Sequence, residues 1–162
     1  SAYIVGAKKL IPIPKNEWVE LNFELTQMAQ NSDYLVRNAG NWYIHGLISQ
    51  GLTNQRQILG AGSGMGNNVQ TFSAAWIYGF KKLGIKLQRI QQDPRGFRGD
   101  FSSLALTNNP WNDFSIGLFG RWNYRKWMAS VDIQQVSSKN YAWSVGNSKS
   151  NFYGLLNIGY IW

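Results

Sequence analysis

The sequence of 162 residues contains no cysteine. This absence excludes disulfides, thiolate zinc sites and cysteine nucleophiles. It also has no run of about 18 apolar residues, so it offers no transmembrane helix. A membrane crossing by β-strands stays open, because its signal is alternation rather than a continuous apolar block. Acidic residues are few, 8 against 16 lysines and arginines, which leaves a net charge of +8.

Aromatic residues and glycines are abundant instead. The chain has eight each of Trp, Tyr and Phe, and 17 glycines against four prolines. This composition is typical of strands joined by tight turns. Apolar residues occur at every second position in eight segments: 2–10, 17–29, 41–51, 69–79, 82–92, 112–122, 126–138 and 151–162. We therefore predict an all-β fold, an antiparallel transmembrane outer-membrane β-barrel or a part of one, which fills residues 1–162 as a single domain.

The alternation assigns one face of each segment to lipid and the other to the barrel interior. Segment 17–29 is the clearest, with Val19, Leu21 and Phe23 on one face and Glu20 and Asn22 on the other. In segment 82–92 the pattern is broken by Arg89, which we expect at a membrane boundary where its guanidinium can reach water. The chain finishes on NFYGLLNIGYIW, an alternating segment with a terminal aromatic that resembles the last strand of bacterial outer-membrane proteins.

The connections between the segments alternate in length. Long loops are predicted near 52–68, 93–111 and 139–149, and short turns near 79–81 and 123–125. Long extracellular loops and short periplasmic turns are typical of outer-membrane barrels. The gap at 30–40 is an exception, a periplasmic turn longer than this rule expects.

A soluble sandwich or a lipocalin-like barrel is the alternative, in which the apolar face would point inward. The pattern favours the outer membrane of a Gram-negative cell, with outer-membrane lipid and lipopolysaccharide as surroundings.

Segment 41–94 carries a Tyr-x-His strand, a glycine-rich loop that ends in asparagine, and a strand pair joined by a tight basic turn. The residues concerned are Tyr43, His45, Gly46, Leu59, Gly60, Gly62, Gly64, Gly66, Asn67, Lys81 and Lys82. In these features the sequence resembles the capsule assembly Wzi family. The resemblance covers about a third of the chain well, and the flanking strands only in kind.

The resemblance implies an outer-membrane barrel of about eighteen strands, with periplasmic helices near its start, that helps to hold capsular polysaccharide on the cell surface. The present chain is far shorter and shows no helical pattern at its beginning. We therefore interpret it as the C-terminal portion of such a barrel, completed by the remainder of the barrel or by another protein chain. A self-standing barrel of eight strands is the alternative.

Six polar residues are predicted to point into the barrel: Glu20, Glu24, His45, Lys86, Arg121 and Asp132. They could neutralise one another, as buried charges must, or line a conducting pore. His45 with a serine could serve a lipid-A-modifying enzyme, but a lone histidine is more often a hydrogen-bonding residue of a polar interior. We therefore expect no catalytic residue, no cofactor and no metal site, because metal ligands are lacking.

The long loop 93–111 combines charged and aromatic side chains, which suit contacts with sugar rings and uronate carboxylates. Arg95, Arg98 and Trp111 are the candidate glycan-binding residues, although an ordinary outer loop would look similar. The basic residues are scattered along the chain rather than gathered on one element, so we expect no nucleic-acid partner. The predicted function is non-catalytic binding or anchoring of surface polysaccharide. A small passive pore or a structural barrel subunit is the alternative.

Overall fold

The computed structural model describes residues 2–28, 53–54, 57–58, 66–92 and 109–161. In this part the chain forms nine β-strands and a short 3-10 helix at Tyr141–Trp143. The strands are β1 Tyr3–Ile13, β2 Glu17–Gln27, β3 Thr53–Asn54, β4 Gln57–Ile58, β5 Asn68–Tyr78, β6 Lys81–Gln91, β7 Asn112–Tyr124, β8 Trp127–Lys139 and β9 Ser148–Tyr160. Within these ranges, no helix is long and apolar enough to cross a membrane.

The seven long strands form one sheet in the order β1-β2-β5-β6-β7-β8-β9, and β3 and β4 pair separately. Every neighbouring pair in the large sheet is antiparallel. The predicted all-β antiparallel fold is thereby confirmed. Among the described residues the sheet is open, because β1 and β9 each pair with one neighbour, and no closed barrel is formed.

Segment 41–51, predicted to follow segment 17–29 in the sheet, lies outside the described residues. In the part that is described, β2 pairs directly with β5 along its length, from Glu17 opposite Tyr78 to Gln27 opposite Asn68. No strand can therefore lie between β2 and β5, and the described residues contribute seven strands to the sheet, where eight are predicted for the whole chain. Alternation reveals that a segment can form a strand, but it does not reveal which strand lies beside it.

This pairing gives the two ends of the sheet different connections. At one end, the turn end, short turns at 14–16, 79–80 and 125–126 join neighbouring strands. At the other, the loop end, the sheet strands are joined by the connections 28–67, 92–111 and 140–147. The chain leaves β2 and enters β5 at the loop end. The gap at 30–40, predicted to be a long periplasmic turn, lies outside the described residues.

The tight turns use backbone conformations with positive φ. Gly79 has φ of 56°, and Arg125 has φ of 53°. Two-residue hairpins require positive φ at central positions because this backbone twist matches that of the flanking strands. Glycine adopts it without a steric penalty at 79, whereas Arg125 does so as a residue with a side chain.

From β2 to β9 the register places most of the apolar side chains on one side of the sheet, which we call the apolar face. In β1, Val5 and Ile11 lie on this face together with Lys9, whereas Ile4 and Leu10 lie on the opposite side. The members of the apolar face include Val19, Leu21, Phe23, Leu25, Phe72, Trp76, Leu83, Ile85, Leu87, Phe114, Ile116, Leu118, Val131, Ile133, Phe152, Leu156 and Ile158. The opposite side, the polar face, includes Lys8, Glu20, Asn22, Glu24, Thr71, Ser73, Lys82, Lys86, Gln88, Ser115, Arg121, Ser130, Asp132, Gln134 and Asn157. The residues assigned to one face of each strand from alternation therefore do share one face.

The apolar face is not covered by any described element. Buried hydrophobic residues among the described ones are only Met28, Val69, Ala75 and Trp143, whereas Ile116 and Leu118 in the centre of the sheet are 57% and 56% exposed. A soluble sheet buries such a face against a second layer. This face therefore requires apolar surroundings from outside the described part of the chain.

Candidate functional site

The polar face carries an ion-pair cluster centred on Glu20. Its carboxylate lies 3.0 Å from the Lys8 ammonium and 2.8 Å from the Lys82 ammonium. The three side chains come from β1, β2 and β6, so the cluster spans four adjacent strands of the sheet. Because Glu20 is buried, its charge depends on these two cations for compensation. Lys8 and Lys82 complete an arrangement of which the sequence singled out Glu20 alone.

A second ion pair joins β6 and β8 across β7. The Lys86 ammonium lies 3.8 Å from the Asp132 carboxylate. The pair is diagonal in the register, because the β7 residue opposite Lys86 is Gly117 and the β7 residue opposite Asp132 is Phe119. The second carboxylate oxygen of Asp132 is buried and has no hydrogen-bond partner among the described residues. The pair therefore neutralises the charge of Asp132 without saturating its hydrogen bonding.

Arg121 lies on the same face near the turn end, opposite Lys82 in the register. It is exposed and has no ion pair within the described ranges. With Asp132, Ser130 and Asn157 it lines a depression of about 410 Å³. Lys82 and Arg121 at one side of this depression and the Asp132 carboxylate at the other leave its lining with an excess of positive charge.

Five of the six residues predicted to point inward thus share the polar face, and His45 lies outside the described residues. Glu20, Lys86 and Asp132 are paired. Glu24 is exposed and, in the part of the chain that the structure describes, forms no ion pair, as is true of Arg121. Ion pairs therefore neutralise the charges of Glu20, Lys86 and Asp132 but not those of Glu24 and Arg121.

Three aromatic rings meet at the loop end of the sheet. The Trp111 ring packs edge to face against Tyr141, with centroids 4.9 Å apart, and against Trp143, with centroids 5.1 Å apart. The Trp111 indole N–H donates a hydrogen bond of 2.7 Å to Asp113 Oδ1. Asp113 also accepts hydrogen bonds from Ser138 and from Gln92, at its other oxygen, where the distance is 2.8 Å. Asp113 therefore ties the start of β7 to the ends of β6 and β8.

The connection 140–147 folds so that its rings Tyr141 and Trp143 pack against Trp111. Asn140, Ala142 and Trp143 all have positive φ, and the Tyr141 N–H donates to the Asn147 carbonyl at 2.8 Å. Non-glycine residues with positive φ persist only where surrounding contacts hold them. Here the contact is the packing of Trp143, which is 2% exposed, under Trp111.

These contacts change the interpretation of Trp111 as a glycan-binding residue. Its ring is half-buried and already contacts two other rings, so it holds connection 140–147 against the start of β7. The exposed ring of the cluster is that of Tyr141. Sequence reasoning missed Tyr141 and Trp143, because only the packing of two separate connections brings them to Trp111. The other two candidates, Arg95 and Arg98, lie outside the described residues.

The described residues include no group of three or more histidine, cysteine or acidic side chains that could hold a metal ion. This surface carries charged side chains and aromatic rings, which form charge-assisted hydrogen bonds and ring-stacking contacts.

Comparison with known proteins yields no match, neither to a family model nor to a curated protein nor to a solved structure. The resemblance to the capsule assembly family stays a prediction that rests on the residues named for it above.

Proposed function

We propose that this chain is part of an outer-membrane β-barrel that binds or anchors surface polysaccharide without catalysing a reaction. The observation that carries the proposal is the two-faced sheet: an exposed, predominantly apolar face that continues from β2 to β9 and a charged, hydrogen-bonding face behind it. Lipid outside and a polar interior are the two surroundings that satisfy both faces at once.

The strand lengths support a membrane crossing. The shortest strands of the large sheet have 11 residues. At about 3.4 Å per residue such a strand is roughly 37 Å long, and at a tilt of about 40° it spans roughly 28 Å. That span covers the apolar band of an outer-membrane barrel, which is about 25 Å tall.

Aromatic side chains gather on the apolar face at the turn end. They are Tyr78, Trp122, Tyr124, Trp127 and Tyr160. Trp127 and Tyr160 pack edge to face with centroids 4.9 Å apart. Such rings form the girdles of membrane barrels because they are apolar at one end and form hydrogen bonds at the other. In our proposal the turn end lies on the periplasmic side and the loop end faces outward.

The directions of the two edge strands, β1 and β9, support a barrel that contains further strands. β1 and β9 both run from the loop end to the turn end, because an odd number of antiparallel strands leaves the two outer strands parallel. Closure with antiparallel pairs alone therefore needs an odd number of further strands. We propose that the remainder of the barrel, or another protein chain, supplies them. One further strand would give eight, and the family resemblance favours more.

The loop end is where we place polysaccharide binding. Connection 92–111, which contains Arg95 and Arg98, leaves the sheet at Gln92 and returns at Trp111. The Gln92 N–H donates to the Trp111 carbonyl at 3.0 Å, so the two ends of this connection are held together beside the aromatic cluster. Guanidinium groups bind carboxylates of acidic sugars in a bidentate manner, and exposed rings stack on sugar faces.

The test removes the two arginines and compares that change with an equal loss of charge at the other end. We expect Arg95→Ala with Arg98→Ala, in the full-length protein, to weaken binding of purified surface polysaccharide by about tenfold or more, as loss of charge-assisted contacts does. Lys15→Ala with Arg125→Ala removes the same charge at the turn end and should leave binding within about twofold, since exposed surface changes are nearly neutral. Equal binding by both double variants would refute a glycan site at the loop end and favour a passive pore or structural barrel.

A further inference from the structure

The apolar face contains one guanidinium near the loop end, that of Arg89. It is half-buried and its charge centre lies 6.0 Å from the centre of the Phe114 ring. Its two terminal nitrogens donate to Gln70 Oε1 at 3.0 Å and to Asn112 Oδ1 at 2.9 Å. These amides fix the orientation of the guanidinium but carry no charge that could neutralise it.

No carboxylate compensates Arg89 within the described residues, where no ion pair includes it. The acidic residue of the described strands that shares the apolar face is Glu17, which lies at the turn end and accepts a hydrogen bond from Trp76. Lys139, opposite Asn112 in the register, adds a second cation at the loop-end boundary. Arg89 and Lys139 therefore give this boundary a positive charge that the acidic residues of the described strands do not neutralise, and an anionic group is the ligand that such a charge favours.

Directly beside Arg89 lies a groove of about 550 Å³. Its floor is apolar and comprises Phe23, Phe72, Leu87, Phe114 and Ile116. Polar side chains of the same face border the groove: Gln70, Arg89 and Ser137 in the register row of Phe114, and Gln135 in the row of Ile116. The groove therefore offers one cation at the end of an apolar channel, which matches a ligand with an anionic head and a hydrocarbon tail.

We propose that this groove binds a phosphorylated acyl glycolipid of the lipid A type, with an acyl chain along the floor and a phosphate on Arg89. The inference rests on the proposed function, which places the loop end in the outer leaflet. A guanidinium has five N–H donors in a planar fork that matches phosphate, and Gln70 and Asn112 engage part of them. Amide and hydroxyl groups along the boundary, such as Gln135 hydrogen-bonded to Ser150 at 2.6 Å, suit the sugar hydroxyls.

The experiment is a titration of the full-length protein in non-ionic detergent with diphosphoryl lipid A, followed by native mass spectrometry. Arg89→Gln should weaken lipid A binding about tenfold or more, while Arg89→Lys, which keeps the charge but loses the fork, should retain part of it. Arg121→Gln removes a guanidinium from the polar face and should leave lipid A binding unchanged. A bulky replacement in the floor, Ile116→Trp, should weaken binding with Arg89 intact.

Two further ligands separate the lipid from its parts. Inorganic phosphate at millimolar concentration should not displace lipid A, and phosphatidylglycerol should bind more weakly, because it has one phosphodiester and no sugar. Equal binding by wild type and Arg89→Gln, or equal loss in Arg121→Gln, would overturn the site. Displacement by phosphate, or equal affinity for phosphatidylglycerol, would also overturn it. Ile133 lies on the apolar face of β8 and Gln134 on the polar face. If Ile133→Arg lowers the stability of the membrane-inserted protein and Gln134→Arg does not, such a result refutes the lipid site and leaves the proposed barrel intact.

Discussion

Replacing Ile133 by arginine is expected to lower the stability of the membrane-inserted protein by about 2–4 kcal/mol, the effect of arginine near the bilayer midplane on the lipid face of a barrel. Ile133 lies in the middle of β8 on the apolar face, between Leu118 of β7 and Gly154 of β9. Its side chain is exposed in the sheet, so the penalty comes from lipid contact and not from overpacking.

The neighbouring residue provides the control. Gln134 lies on the opposite, polar face, where Gln134→Arg adds the same group at the same height in the sheet. We expect Gln134→Arg to change the free energy of unfolding by less than about 0.5 kcal/mol, as for ordinary polar positions. The measurement is urea unfolding of the full-length protein in lipid vesicles. An equal loss in both variants would mean that the two faces do not differ in their contact with lipid.

Replacing Gly84 by valine is expected to lower the free energy of unfolding by about 3 kcal/mol, the upper end of the range for overpacking. Gly84 is buried on the polar face of β6. A Cβ there would lie 2.5 Å from Phe119 Cζ, 2.7 Å from the Ala74 carbonyl oxygen and 2.7 Å from Ala75 Cβ. Phe119 can rotate away, but the Ala74 carbonyl belongs to the β5–β6 ladder and cannot move without disturbing it.

Gly159 is the matched position for this substitution. It lies in β9 on the same face, and a Cβ there would meet nothing within 4 Å. Gly159→Val should therefore be neutral or stabilise the strand slightly, since valine favours extended backbone. Both variants are compared by urea unfolding of the full-length protein in vesicles. If Gly159→Val destabilises the protein as much as Gly84→Val, steric contact at Gly84 is not the cause.

Strand positions and faces were predictable where apolar and polar residues alternate over several positions. Segment 82–92 has Leu83, Ile85 and Leu87 against Lys86 and Gln88, and β6 is Lys81–Gln91. Segment 112–122 was predicted two residues short of β7, which continues to Tyr124. The fault lies in assigning Asn123 and Tyr124 to the turn, although Tyr124 continues the outward row of Leu118 and Trp122.

Which strands pair with each other in the sheet could not be predicted in the same way. A period of two fixes the face of a residue but not the strand that pairs with it, so segment 41–51 was placed between strands that pair directly. The same limitation applies to the charged cluster. Glu20 stood out as a charge opposite an apolar face, but its partners Lys8 and Lys82 lie on β1 and β6 and follow only from the sheet order.

The aromatic cluster shows why contacts between loops could not be predicted from the sequence. Trp111 was singled out as a ring in a long charged loop, which is a compositional argument. Its contacts with Tyr141 and Trp143 require connection 140–147 to fold back toward the start of β7. That fold depends on positive φ at Asn140 and Ala142. Asparagine adopts this conformation more readily than most residues, but alanine gives no signal for it.

The central claim is that one face of the sheet meets lipid and the other does not. This sequence contains no cysteine, so single cysteines can be introduced along β7 and labelled with an environment-sensitive fluorophore. With the full-length protein in lipid bilayers, labels at Phe114, Ile116 and Leu118 should show blue-shifted emission and quenching by lipids that carry a quencher, and labels at Ser115, Arg121 and Asn123 should show neither. Water-like emission at all six positions, or equal lipid quenching on both faces, would contradict the membrane-spanning sheet.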